Sequence, residues 1–295
     1  MSRLPLMLAA LSLASAALPL HAQREPGLLV TPQWVREHQR DPNLVLLHVG
    51  PRESFDKEHI AGARFVAMEL LAVREPTPLE MPAPDSLRHA LESLGISDRS
   101  RVVVVFSDEW VSPSTRVIYT LTVAGLGDRT SLLDGGLAEW KRAGLPVTAE
   151  VSAIARGRVT TKPQAGLIVD HAFMQANRDV PGVRLVDART PQFYSGPDIT
   201  TARGVQAVGH IAGARNIPFN SVWDDSNRVL PKAQLLQMFK AAGISPGDTV
   251  VAYCHIGQQA TALLFAARSA GFTTRLYDGS MADWGKRQLP LVKTP

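Results

Sequence analysis

The sequence predicts an α/β protein of two similar domains, each a parallel sheet flanked by helices on both faces. Two observations predict it. First, the chain carries one pattern twice, in the same order, with offsets between 144 and 151 residues. His59-Ile60-Ala61-Gly62-Ala63 returns as His210-Ile211-Ala212-Gly213-Ala214, and Leu94-Gly95-Ile96-Ser97 returns as Ala242-Gly243-Ile244-Ser245. Val103 to Phe106 returns as Val250 to Tyr253. Asp134-Gly135-Gly136-Leu137-Ala138-Glu139-Trp140 returns as Asp278-Gly279-Ser280-Met281-Ala282-Asp283-Trp284, and each copy ends in Leu-Pro, at Leu145-Pro146 and Leu289-Pro290. A period this long indicates a duplicated domain and not a solenoid. Second, short apolar runs alternate with helical patterns within each copy.

Taken in order, residues 1–22 read as a secretory signal peptide: Arg3, an apolar run from Leu4 to Leu20, then Leu20-His21-Ala22 as the cleavage site. The run is short for a membrane span, so no span is expected after cleavage. The first domain is expected over residues 28–149. Leu44 to Val49 reads as a buried strand, and Arg101 to Phe106, rich in β-branched residues, as a central one. A linker follows over residues 150–167, where Gly, Lys, Pro and Gln interrupt the periodicity. The second domain is expected over 168–293, with strands at Arg184 to Asp187 and Thr249 to Tyr253. A helix over Gln259 to Ala270 is stopped by Gly271.

Length and composition fit this plan. The chain has 295 residues, of which 45% are hydrophobic, enough to bury two cores. The formal net charge is +4, but the basic residues are scattered and form no Lys/Arg block, which argues against nucleic-acid binding. A mildly basic surface favours small anions. No cysteine-histidine spacing of the zinc type occurs, and no metal or organic cofactor is expected.

Cys254 is the single cysteine, so it forms no internal disulfide. In an exported, periplasmic protein a lone thiol is a liability unless it is used. Its setting suggests a use. It follows directly after the strand Thr249 to Tyr253, in the loop Cys254-His255-Ile256-Gly257-Gln258-Gln259-Ala260. Open α/β sheets place ligands at such carboxyl ends. The helix beyond points its N-terminus back at the loop, where free N–H groups and the helix dipole favour negative charge. Gly257 lets the backbone curl toward the sulfur, and successive amides can cradle an anion. This predicts an ionised, reachable thiolate with a lowered pKa.

The loop, the two His-Ile-Ala-Gly-Ala segments and the Asp-Gly-Gly/Ser…Trp endings together resemble the tandem-domain rhodaneses, the thiosulfate and 3-mercaptopyruvate sulfurtransferases. The resemblance spans roughly residues 28 to 293. Phe55 precedes His59 by four residues, as the family's first signature asks, whereas Ala61 and Ala212 stand where proline is usual. In the loop, Cys254, Gly257 and Ala260 keep the family spacing. His255 and Ile256 occupy the variable places, without the basic residue common in thiosulfate-type loops.

The resemblance implies two rhodanese-like domains, the first without a nucleophile, since Ser107 aligns with Cys254, and the second catalytic. It also implies the chemistry. Cys254 takes the outer sulfur of thiosulfate or a similar small sulfur-containing anion as a persulfide, then passes it to cyanide, a thiol or a protein sulfur acceptor. His255 is expected to tune the loop electrostatically. Gln258 and Gln259 are candidate donors to an oxyanion, or caps of the helix. Arg189, oriented by Asp187 in Asp187-Ala188-Arg189, would either bind a sulfonate or brace the loop. Positive charge from His255 and Arg189 would favour thiosulfate. His59 and His210, present in both copies, suggest structural roles; Trp140 and Trp284 suggest packing, and Trp223 is a candidate pocket wall.

Two rival readings share the fold. A Cys-dependent phosphatase or arsenate reductase needs Arg six positions after the cysteine, and Ala260 stands there. A non-enzymatic sulfur-relay or binding module would retain Cys254 and its loop.

Overall fold

The computed structural model describes residues 27–73, 80–107, 110–197, 199–201, 204–206 and 208–293; the leader read at 1–22 lies outside the described residues. In the first domain the order is β1 (Leu29–Val30), α1 (Pro32–His38), β2 (Leu44–Val49), α2 (Arg52–Lys57), β3 (Arg64–Phe65), α3 (Pro84–Ser93), β4 (Arg101–Phe106), α4 (Ser112–Val123), β5 (Thr130–Leu133) and α5 (Gly136–Arg142). The second domain runs β6 (Ile168–Val169), α6 (His171–Asn177), β7 (Val183–Asp187), α7 (Pro191–Ser195), β8 (Ile199–Thr201), β9 (Gly204–Gln206), β10 (Arg215–Asn216), α8 (Lys232–Ala241), β11 (Thr249–Tyr253), α9 (Gln258–Ala270), β12 (Thr273–Tyr277) and α10 (Ser280–Lys286).

The two main sheets are parallel and share one strand order, β1-β5-β4-β2-β3 in the first domain and β6-β12-β11-β7-β10 in the second. The antiparallel β8–β9 hairpin, Ile199 opposite Gln206, is an addition to the second domain that the repeat does not foretell.

Both faces of each sheet are buried, and side chains alternate between them with period two. Val102, Val104 and Phe106 of β4 face inward, with Val103 and Val105 on the outer side. On β11, Val250 and Ala252 face inward, and Val251 and Tyr253 outward. Cys254 continues that alternation and joins the inner cluster. This inner cluster is continuous across the molecule, running from β2 and β4 through α4 and α9 to β11. The domain interface is therefore core and not a wet contact.

α4 and α9 are equivalent in the two copies and meet at the interface. Thr115 and Thr261, counterparts in the repeat, share a hydroxyl hydrogen bond of 3.0 Å. One helical stretch further along, Arg268 donates to the Thr122 hydroxyl at 3.0 Å. Both helices end on a left-handed glycine, Gly125 at φ 87° and Gly271 at φ 100°, as the C-terminal stop demands.

The duplicated histidines are structural. His59 stacks on Phe55 and its Nδ1 meets the Phe55 carbonyl at 2.7 Å; His210 stacks on Tyr194 and meets its carbonyl at 3.1 Å. Each also pairs its backbone with the closing segment of its own domain, His59 with Thr148 and His210 with Val292. The duplicated tryptophans serve the same closure. The Trp140 indole donates to the Pro146 carbonyl at 2.9 Å and that of Trp284 to Pro290 at 3.1 Å. The segment read as a linker is docked on the first domain. Gly157 donates to the Glu92 carbonyl at 2.8 Å and Lys162 to Ala124 at 2.9 Å, while Val159 is buried.

Candidate active site

The site forms where β7 and β11 end side by side. Tyr253 is in register with Asp187, and the Ala188 N–H donates to the Tyr253 carbonyl at 2.9 Å. The next residue on one strand is Cys254, and two residues on from Asp187 is Arg189. Gly257 takes φ 84°, turns the chain, and caps α9. No other residue fits there, because a Cβ would stand 2.7 Å from the Asp278 carbonyl oxygen.

This turn brings the main-chain N–H groups of Ala260, Ile256, Gln259 and Gly257 near the cysteine sulfur. Each favours the thiolate, as do the free amides and dipole of the α9 N-terminus. Two expectations are nevertheless corrected. Cys254 is fully buried and not reachable from the surface, and burial outweighs the amides, pushing its thiol up from the ordinary value. The physical reason is the inner-face position of residue 254: the interface that makes the two domains one core also removes water from the sulfur.

The supporting residues divide differently from the sequence reading. Arg189 is buried and forks onto Asp187, at 2.6 Å from Nη2 to Oδ2 and 3.0 Å from Nε to Oδ1, and also donates to the Gly209 carbonyl at 2.6 Å. Asp187 further accepts the Arg189 main-chain N–H at 2.9 Å. The Nε and Nη2 donors are thus taken by Asp187 and Gly209, an internal ion pair, while Nη1 bonds to neither. His255 packs edge-on against Phe193 with ring centroids 4.5 Å apart. Burial, reinforced by Arg189 and opposed by Asp187, lowers its pKa to about 4, so the ring is neutral at pH 7. Asp187 offsets the Arg189 charge and His255 is neutral, so the two residues do not add the net positive charge that was expected to favour thiosulfate.

Gln258 is largely buried and its carbonyl accepts from the Thr261 hydroxyl at 2.7 Å. The Gln259 Oε1 is buried with no hydrogen-bond partner among the described residues. Ile256 is half-buried. In the first domain, Ser107 occupies the cysteine's place, and its Oγ is packed against Gly50 with no hydrogen-bond partner among the described residues. Among the described residues no general base bonds to it.

Two contributors escaped the sequence reading, and a third was foreseen only through Trp223. Ser280 replaces Gly136 of the first copy, adopts φ 52°, and accepts the Cys254 N–H on its hydroxyl at 3.1 Å. The Gly-to-Ser difference between the copies was its visible signal. Arg116 and Asp278 form a buried ion pair across the domain interface. A cavity of about 520 Å³ lies between the domains, with Trp110 and Val111 on one wall and Phe219, Asn220, Trp223 and Asp224 on the other. Val111 and Trp223 also belong to the cluster that covers Cys254. Among the described residues, no group of His, Cys, Asp and Glu side chains is arranged to hold a metal, and no helix is long and apolar enough to cross a membrane.

Comparison with known proteins supplies the lineage. The model of the rhodanese-like domain matches twice, at residues 31–143 and 171–287. A probable 3-mercaptopyruvate sulfurtransferase of Pseudomonas aeruginosa is 35% identical over 272 residues, covering 87% of this chain and 94% of that protein. A thiosulfate sulfurtransferase of Azotobacter vinelandii is 26% identical over 260 residues, covering 88% and 94%. The crystal structure of SseA from Escherichia coli, described as a 3-mercaptopyruvate sulfotransferase with a rhodanese fold, superposes with a TM-score of 0.74 at 22% identity. It covers 86% of this chain and 99% of that one. At that identity the superposition speaks for the fold.

Proposed function

The chain belongs to the rhodanese-like family, and from that premise we propose that it is a sulfurtransferase working through a persulfide on Cys254. The observation that carries the reading is the place of Cys254 at the carboxyl end of β11, in the Gly257 turn at the mouth of α9, where the nearby loop amides favour its thiolate. Amides held in this way stabilise a thiolate, and equally the anionic terminal sulfur of a persulfide, without any reorganisation during reaction.

The Cys254 thiolate attacks the outer sulfur of the donor. For thiosulfate, the S–S bond breaks and sulfite departs with its electron pair, leaving Cys254–S–S⁻. An acceptor such as cyanide or a thiolate then attacks the outer sulfur. Thiocyanate or a new persulfide leaves, and the Cys254 thiolate is regenerated. The upward push on the thiol is desolvation, so it relaxes when solvent or donor enters beside the sulfur; the amide contribution remains. Arg189 and Asp187 brace the end of β7 beside the loop, and neutral His255 packs on Phe193.

The donor is a small sulfur-bearing anion of the thiosulfate or 3-mercaptopyruvate kind. The loop carries no lysine or arginine and His255 is neutral, so the main-chain amides are what meets the anion, and the names of both relatives fit that class. We also propose that residues 1–22 are removed on export to the periplasm, which N-terminal sequencing of the secreted protein tests. A sulfur-relay role for a protein acceptor is the second reading. It is favoured by the full burial of Cys254, which suits a site opened by a partner.

The test is intact-mass spectrometry after treatment with thiosulfate or 3-mercaptopyruvate, coupled to thiocyanate formation. The expected gain is one sulfur atom, about 32 Da, absent in Cys254→Ser. No gain with either donor would sink the proposal. Loading without catalytic thiocyanate formation would favour the relay.

A further inference from the structure

Arg116 lies on α4, in the domain without a nucleophile, and is wholly buried. A buried guanidinium is tolerated only when paired and hydrogen-bonded. Its partner is Asp278 of the catalytic domain, gripped through Nη1 to Oδ1 and, at 3.3 Å, through Nη2 to Oδ2. A second first-domain group reaches the same carboxylate: the Met81 N–H donates to Oδ2 at 2.8 Å. Asp278 is therefore held from outside its own domain.

What Asp278 touches is the cysteine turn. A Cβ built on Gly257 would lie 2.7 Å from the Asp278 carbonyl oxygen, 2.9 Å from its Oδ1 and 3.2 Å from Arg116 Nη1. The turn is pressed directly against the ion pair. The residues just after Asp278 hold the rest of the loop. Ser280 accepts the Cys254 N–H, Met281 donates to the Cys254 carbonyl at 3.0 Å, and Ala282 donates to the His255 carbonyl at 3.0 Å. Arg116 is also no relic of the duplication. With Thr115 opposite Thr261 and Gly125 matching Gly271, its counterpart on α9 is Ala262.

We infer that Arg116 is a positioning residue for catalysis: through Asp278 it fixes the Gly257 turn, and with it the amides that face the Cys254 sulfur. The domain that lost its nucleophile thereby sets the reactivity of the other domain's cysteine. The turnover part of this inference rests on the sulfurtransferase reading; the thiol-reactivity part does not.

The test compares the full-length protein with Arg116→Met and Arg116→Lys. Two measurements are made: the rate of Cys254 alkylation by iodoacetamide as a function of pH, and kcat and KM for thiocyanate formation. Arg116→Met is expected to move the alkylation midpoint up by about one pH unit and to lower kcat by at least about tenfold with little change in KM. Arg116→Lys is expected to fall between, keeping the charge and losing the fork. A purely structural role would lower thermal stability and leave the pH profile in place.

Folded Arg116→Met with an alkylation profile and kcat within about twofold of the parent overturns the inference. Should Arg116→Met yield no folded protein, Arg116→Lys is read by the same criterion. If the parent itself forms no thiocyanate, the functional reading falls, and the alkylation profiles still decide the role of Arg116.

Discussion

The hydroxyl of Ser280 accepts the main-chain N–H of Cys254 at 3.1 Å and donates to the Tyr277 carbonyl at 2.9 Å. Ser280 achieves this at φ 52°, in the left-handed region that costs a side chain about 1–2 kcal/mol. Its counterpart Gly136 cannot carry a side chain at all, since a Cβ there would stand 2.6 Å from the Phe106 carbonyl oxygen. The same corner of the repeat is thus closed by backbone packing in one domain and opened to a hydrogen-bonding side chain beside the nucleophile in the other.

Ser280→Ala leaves the buried Cys254 N–H without an acceptor and is expected to destabilise the protein by about 1–3 kcal/mol. Ser280→Gly loses the same bond but relieves the left-handed strain. It should be the more stable variant of the two by about 1 kcal/mol. Urea denaturation of both variants checks the order; Ser280→Ala equal to the parent would contradict the role assigned to the hydroxyl.

Breaking the Asp187–Arg189 fork should cost stability before it changes substrate affinity. Arg189→Met leaves a buried carboxylate uncompensated, a loss of about 3–5 kcal/mol. If Arg189 instead gripped the donor, KM would rise with the fold intact. Denaturation midpoints beside KM for the donor separate the two outcomes.

A buried histidine, His48, and a half-buried one, His255, should make the protein acid-sensitive. The pKa of His48 falls to about 4 through burial and the nearby His59, and that of His255 also falls to about 4, through burial and Arg189. The folded values lie below the unfolded value, so the unfolded chain takes up protons first. Stability falls as pH drops from about 6.5 to about 4, by up to about 3 kcal/mol per histidine, and then levels. His48→Leu and His255→Leu should each flatten part of that slope in denaturation series across this range. An unchanged slope in both would exclude these residues as its source.

The buried thiol predicts sluggish chemistry at rest. At pH 7.5, Cys254 of the native protein should react with iodoacetamide at least about tenfold more slowly than an unhindered cysteine. Sub-denaturing urea should accelerate it by populating local openings. Because the folded thiol titrates above the unfolded one, it also withdraws stability as pH rises past the ordinary thiol range. A stability titration from pH 8 to 10, compared with Cys254→Ala, reads that slope directly.

Much of this molecule was legible along the chain. The repeat disclosed two domains of one kind, because duplicated folding problems retain duplicated solutions: the histidines that close each domain and the β-branched central strands. Local order around Cys254 was legible too, since a strand, a glycine turn and a helix start place free amides near the intervening residue whatever lies beyond. The β8–β9 hairpin was not, having no partner in the repeat to betray it.

What the chain by itself determined is therefore local: the elements, their duplication, and the ring of amides at residue 254. What only the tertiary structure decided is the balance of forces on them. Burial depends on atoms hundreds of residues away in sequence, and it reverses the net direction of the Cys254 shift and keeps His255 neutral. Pairing depends on it as well. Asp187 takes the Nε and Nη2 donors of Arg189, while Arg116 and Asp278, 162 residues apart, become partners only because two core-forming helices bring the domains together. Desolvation and long-range ion pairing are properties of the assembled interior, and no window of sequence contains them.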